Sequence, residues 1–150
     1  MTTDLGESVS STDLAIEAVV ENLKLKQNLF VEMEKFSPDG AILATNTSSL
    51  PITEIAANLK NRALFGGLHF FNPVPVMRLL EVIKCDETSQ ETFEKMVTWG
   101  AAMQKTTVRC IDTPGFIVNR LLIPYMLEAV RLYERGHGSK EDIGKYSRDP

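Results

Sequence analysis

Leu64-Phe65-Gly66-Gly67-Leu68-His69-Phe70-Phe71-Asn72-Pro73-Val74-Pro75 is an apolar run with a single ionisable residue, halted by two prolines in four positions. Proline lacks the N–H that a sheet or helix interior needs, so the run predicts a buried strand over Leu64 to Phe71 that stops at a rigid loop. Leu79 to Lys84 reads as the next strand. Working outward, Asp13 to Val20, Ala41 to Thr45 and Thr106 to Ile111 read as further strands. Helices are expected between them. One covers Leu23 to Phe36, with Leu25, Leu29 and Met33 on one face, and a second covers Pro51 to Leu59. A third runs from about Ser89 to Gln104 behind the capping box Thr88-Ser89-Gln90-Glu91. Strands that alternate with helices define an α/β domain.

The pattern changes after Asp112-Thr113-Pro114-Gly115. Phe116 to Arg135 is a long apolar helical stretch closed by Gly136, expected to be the left-handed residue that follows a helix end. Ser139-Lys140-Glu141-Asp142 resembles another helix start. The expected division is residues 1–112 as an α/β unit and 113–150 as the opening of a helical domain. The first strand lies close to residue 1 and the last helix start close to Pro150, which reads as a chain cut at both ends.

Composition narrows the class. The 150 residues are 43% apolar and 24% charged, a globular balance with enough chain for a core of its own. Sixteen Lys and Arg against twenty Asp and Glu give a net charge of −4, and no block of like charge stands out. That argues against a nucleic-acid or membrane-surface binder. The most apolar stretch, Phe116 to Leu127, is interrupted by Asn119, Arg120 and Pro124 and falls short of the roughly 20 residues a membrane span needs. The opening Met1 to Glu7 carries acidic and no basic residues, unlike a targeting segment. Cys85 and Cys110 lack the companions of a metal site and read as buried thiols of a reducing compartment.

Chemistry concentrates at a few positions. His69 stands at the end of its strand, where α/β sheets place reactive groups, although a core histidine bonded to a backbone carbonyl fits the same position. Glu81 lies inside Leu79-Leu80-Glu81-Val82-Ile83, where a carboxylate either faces water from an edge strand or needs a buried partner. A histidine is the natural partner, because a carboxylate on one ring nitrogen fixes the tautomer and strengthens the other as a base. Asn46-Thr47-Ser48-Ser49-Leu50-Pro51 marks a strand-to-helix junction; Ser49 suits the cap, leaving Ser48 to point into a site. Asn119, inside an apolar helix, either reaches a partner or faces solvent. None of the nine glycines forms the G-x-G-x-x-G loop that grips a dinucleotide pyrophosphate.

Val20-Glu21-Asn22-Leu23, Asn46 to Leu50, Gly67 to Met77, Leu80-Glu81-Val82-Ile83 and Asp112 to Arg120 together resemble the L-3-hydroxyacyl-CoA dehydrogenases, over about residues 12 to 144. The resemblance implies an incomplete Rossmann-like, doubly wound sheet followed by the first helix or helices of an all-α domain. It implies NAD as cofactor and an acyl-CoA substrate whose 3-hydroxyl is oxidised to a keto group. His69 matches the base, Glu81 its carboxylate partner, and Ser48 and Asn119 the groups that hold the substrate oxygen and the histidine. Glu21, Lys26, Ser48 and Asn72 match positions along the ribose and nicotinamide end of the cofactor. The resemblance also implies the mitochondrial matrix, and a homodimer whose interface is largely absent from these residues. With no pyrophosphate loop present, the expectation is a truncated enzyme of impaired activity. The alternative is a non-catalytic binding or regulatory fragment that associates with full-length subunits.

Overall fold

The computed structural model describes residues 1–146 and divides into two compact units, Met1–Phe116 and Ile117–Pro150. In the first, a five-stranded sheet runs in sequence order: β1 (Leu14–Glu17), β2 (Ile42–Thr45), β3 (Phe65–Phe70), β4 (Leu79–Lys84) and β5 (Thr106–Ile111). β1, β2 and β3 are mutually parallel, β4 turns back antiparallel to β3, and β5 lies parallel to β4. The sheet is therefore mixed, with a reversal at the proline loop. The helices are α1 (Leu5–Val9), α2 (Leu23–Phe36), α3 (Ile52–Ile55, continued by a 3-10 turn) and α4 (Gln90–Ala102).

Strand alternation divides the core in two. Leu43, Phe65 and Ile83 face α1, α2 and α3, joining Val9, Phe30, Met33, Ile52 and Ile55. Ile42, Ala44, Leu68, Leu80 and Val82 face the other way, onto Phe93 and Met96 of α4. Phe30 and Phe65 meet edge to face, ring centres 4.9 Å apart, an arrangement aromatic quadrupoles favour. The side chains of α4 approach the sheet closely at two glycines. A Cβ at Gly100 would lie 2.5 Å from Thr107 Cγ2 and 2.9 Å from Leu80 Cδ2, and one at Gly66 would strike Met96 Cε. Across the surface of this layer, Arg109 of β5 grips Glu94 of α4 with two bonds of 2.7 Å and holds its carboxyl below the usual carboxylate range.

Several expectations need correction. The α2 face is rotated by one position: Lys26, Phe30 and Met33 are buried, whereas Leu25 is exposed. The first strand ends at Glu17 rather than Val20, because the Val19 N–H turns to the Glu17 carboxylate at 2.6 Å instead of a neighbouring strand. The helix after Pro51 is a single α turn. The α4 cap is Ser89, which accepts from Thr92 N–H at 3.0 Å; Thr88 instead donates to Phe65 C=O. A short helix, α1, precedes the first strand, capped by Asp4.

In the second unit, α5 (Val118–Glu134) is followed by α6 (Lys140–Tyr146). Gly136 is left-handed at φ +71°. The His137 N–H reaches Leu132 C=O at 3.1 Å and the Gly136 N–H reaches Tyr133 C=O at 3.0 Å, which closes α5 with the paired bonds of a glycine-terminated helix. Ser139 accepts from Asp142 N–H and starts α6 as expected. No described residue of α5 is buried; Leu121, Ile123, Met126 and Val130 are exposed. Among the described residues no helix is long and apolar enough to cross a membrane.

Gly100→Val forces a branched side chain onto Thr107 and Leu80, overpacking that costs about 1–3 kcal/mol. Urea unfolding should show a lower midpoint than for the unaltered chain; an unchanged midpoint would contradict the tight helix-on-sheet approach.

Candidate active site

His69 and Glu81 are register partners on β3 and β4. Directly opposed residues on an antiparallel pair point to the same face, so the two side chains meet on the α2 and α3 side of the sheet. His69 Nδ1 lies 2.7 Å from Glu81 Oε2, and both side chains are buried, the carboxylate completely. The water-facing reading of Glu81 is therefore excluded, since β4 is interior to the sheet. With Glu81 ionised, Nδ1 carries the ring proton and donates it to the carboxylate, leaving the Nε2 lone pair free to accept. That lone pair faces the Ser48 hydroxyl, Oγ to Nε2 3.1 Å.

Neighbouring groups hold the imidazole in place. The Phe71 and Phe116 rings stand 4.6 and 5.6 Å from its centre. Gly115 and Phe116 are both left-handed, φ +78° and +47°, and Phe116 is buried against the core rather than opening a helix. Behind Glu81, the Cys110 thiol lies 3.7 Å from Oε1.

Ser48 sits on the loop leaving β2, and that loop is closed by side chains. Thr47 Oγ1 accepts the Leu50 N–H at 3.1 Å and donates to Glu21 Oε2 at 2.6 Å, while Ser48 N–H donates to Glu21 Oε1 at 3.1 Å. Asn46 Oδ1 accepts the Phe70 N–H at 2.8 Å, tying this loop to the end of β3. Ser49 does not cap α3. The Ile52 and Thr53 N–H groups are taken by Asp112, at 3.2 and 2.8 Å, from beyond the end of β5.

Of the residues expected to contact a cofactor, Glu21, Ser48 and Asn72 are exposed around the carboxyl ends of β1, β2 and β3, where open α/β sheets bind ligands. Asn72 precedes Pro73 through a cis peptide. Lys26 differs. Its ammonium is fully buried, 2.6 Å from Glu17 Oε1 and 3.1 Å from Val19 C=O. Asn119 is half-buried in the first turn of α5, in the second unit. Among the described residues no three His, Cys, Asp or Glu are grouped to hold a metal ion. Glu17, Thr45 and Thr47 escaped the sequence reading, although Glu17 carries the same signal as Glu81, a carboxylate inside an apolar strand.

Residues 1–113 match the family model described as 3-hydroxyacyl-CoA dehydrogenase, NAD binding domain, and residues 115–149 match the C-terminal domain of the same family. The chain belongs to the 3-hydroxyacyl-CoA dehydrogenase family. A probable 3-hydroxyacyl-CoA dehydrogenase of Caenorhabditis elegans is 57% identical over 95% of this chain and 46% of its own length. The mitochondrial hydroxyacyl-coenzyme A dehydrogenase of Homo sapiens is 60% identical over 94% of this chain and 45% of its length. The chain thus spans just under half the length of these relatives. Among solved structures, FadB2 of M. tuberculosis superposes with a TM-score of 0.88 at 43% identity, over 94% of this chain and 50% of that one. An NAD+-dependent dismutase that is a 5-dehydrogenase of a pyridine carboxylic acid superposes at 0.91 with 32% identity, over 96% of this chain and 47% of that one.

Lys26→Met leaves the Glu17 carboxylate buried without its cation, a loss of roughly 3–5 kcal/mol. The double variant Glu17→Leu/Lys26→Met removes both charges but leaves Val19 N–H and the Thr45 hydroxyl without their acceptor, so it should recover only part of the loss in the same denaturation assay; equal stability of single variant and wild type would show that the pair is not buried.

Proposed function

We propose that this chain carries the proton-accepting half of an L-3-hydroxyacyl-CoA dehydrogenase site, acting on the 3-hydroxyl of an acyl-CoA thioester. Residues 1–112 supply the cofactor-facing sheet and 113–150 the opening of the helical domain. What carries the reading is the His69 imidazole held between a fully buried Glu81 at 2.7 Å and the Ser48 hydroxyl at 3.1 Å. A carbon-bound hydrogen leaves as hydride readily only while the alcohol proton is removed, and Nε2 is the group free to remove it. Glu81 holds the tautomer and stabilises the imidazolium that results. Ser48 marks the spot where the substrate oxygen docks, within reach of Nε2.

NAD, when bound, supplies the hydride acceptor. The residues present fit its ribose and nicotinamide end: the Glu21 carboxylate uses two acceptor sites on Thr47 and Ser48 and keeps others for hydroxyl donors, with the Ser48 hydroxyl and Asn72 amide nearby on the strand ends. Lys26 serves this end from within, through Glu17. The chain contains no glycine-rich pyrophosphate loop, so turnover by these 150 residues alone is expected to be weak. The relatives named mitochondrial support a mitochondrial setting, and the matrix is the compartment proposed for this activity.

A second reading, a non-catalytic fragment that associates with full-length subunits, is favoured by one feature: β1 is paired on a single side, leaving its outer edge open. Co-expression with a complete family member should give a mixed species under this reading and separate species under the first.

Reduction of NAD by 3-hydroxybutyryl-CoA should fall by about 10²–10⁴-fold in His69→Gln, the usual contribution of a positioned base. Glu81→Gln should retain substrate KM better than kcat. Equal turnover by His69→Gln and the unaltered chain would overturn the assignment, and no turnover by either would favour the second reading.

A further inference from the structure

Burying an ion pair is rarely worth much in stability, since apolar residues of similar volume often do as well, so a retained pair invites the question of what it orients. Glu17 and Lys26 are such a pair, 3% and 0% exposed. Glu17 is the last residue of β1 and the register partner of Thr45, the last residue of β2. Its Oε1 accepts from Lys26 Nζ and from Val19 N–H, each at 2.6 Å, and its Oε2 accepts from Thr45 Oγ1 at 2.8 Å. The carboxylate thus ties together the ends of two strands, the turn after β1 and helix α2.

From Thr45 the bonds continue without interruption. Thr45 Oγ1 accepts the Thr47 N–H at 3.2 Å, Thr47 Oγ1 donates to Glu21, Glu21 accepts the Ser48 N–H, and Ser48 Oγ meets His69 Nε2. With its O–H donated to Glu17, the Thr45 oxygen faces Thr47 as an acceptor and its lone pairs are fixed in direction. The Val19 N–H fixed by Glu17 likewise sets the start of the turn that delivers Glu21. Both routes converge on Glu21 and Ser48.

We infer that Glu17 is a positioning residue: through Thr45 and Thr47, and through the turn at Val19, it sets where Ser48 meets the His69 imidazole. The catalytic meaning of this rests on the function proposed above, whereas the geometry and its test do not.

Thr45→Val cuts the relay by removing one bond to Glu17, and leaves the Lys26–Glu17 contact and the His69–Glu81 pair in place. The chain has two histidines, His69 and His137, so ring 15N signals of histidine-labelled protein resolve the site against an internal control. Thr45→Val should shift the His69 Nε2 signal while His137 keeps its own, and Thr45→Ser, which restores the hydroxyl, should return it. A folded Thr45→Val chain whose His69 signal matches the unaltered protein would overturn the inference, whatever its melting temperature.

A second measurement needs no substitution: the Val19 and Thr47 amides, both bonded into the relay, should exchange with solvent at a common opening free energy. Thr47 exchanging orders of magnitude faster than Val19 would equally overturn it. Equal NAD reduction by His69→Gln and the unaltered chain would overturn the proposed function and leave both of these signals as predicted.

Discussion

A carboxylate with no access to water is tolerable in a sheet only when a hydrogen-bond donor stands against it, and at Glu81 that donor is the His69 ring directly across the ladder. The arrangement of the first unit follows from this requirement. The proline loop reverses the chain so that β4 returns antiparallel, which makes residues 69 and 81 opposed on one face rather than offset. β5 then covers the far side of β4, and Cys110 and Phe116 shield the pair from solvent. With one nitrogen committed to Glu81, the ring has a single lone pair left, aimed at the mouth of the sheet.

Much of this was legible in the residues. Prolines at 73 and 75 end β3, and Leu79–Lys84 and Thr106–Ile111 carry strand-type residues; α2, β4 and β5 have the expected limits. The pairing of His69 with Glu81 was one of two places open to a charge in an apolar strand, the other being a water-facing edge, and the interior position of β4 decides between them. The rest depended on contacts between distant residues. Ala18-Val19-Val20 has β-type composition, yet a local bond to Glu17 ends the ladder there. Lys26 looks like a solvated helix position until Glu17 is seen beneath it, which also explains why the buried face of α2 is turned from Leu25. Phe116 reads as the first residue of an apolar helix, but two left-handed residues keep it in the sheet unit.

Two kinds of polar group therefore occupy the carboxyl ends of the parallel strands. Glu21, Ser48 and Asn72 are exposed. Glu17, Thr45 and Thr47 are buried beneath them with their partners satisfied, and no buried side-chain N or O among the described residues lacks a partner. A fully satisfied polar layer of this kind resists rearrangement, because each bond broken leaves a desolvated group behind. It gives an otherwise loop-built surface the definition of a core.

Asp112 closes α3 from 60 residues downstream, supplying acceptors for the N–H groups of Ile52 and Thr53. During synthesis those donors emerge long before their acceptor does. The nascent chain can pair β1 with β2 early, but the loop bearing Ser48 cannot take its final form until β5 has left the ribosome. Such sequence-distant closure slows folding. It also delays assembly of the Ser48–His69–Glu81 cluster until the whole sheet is in place.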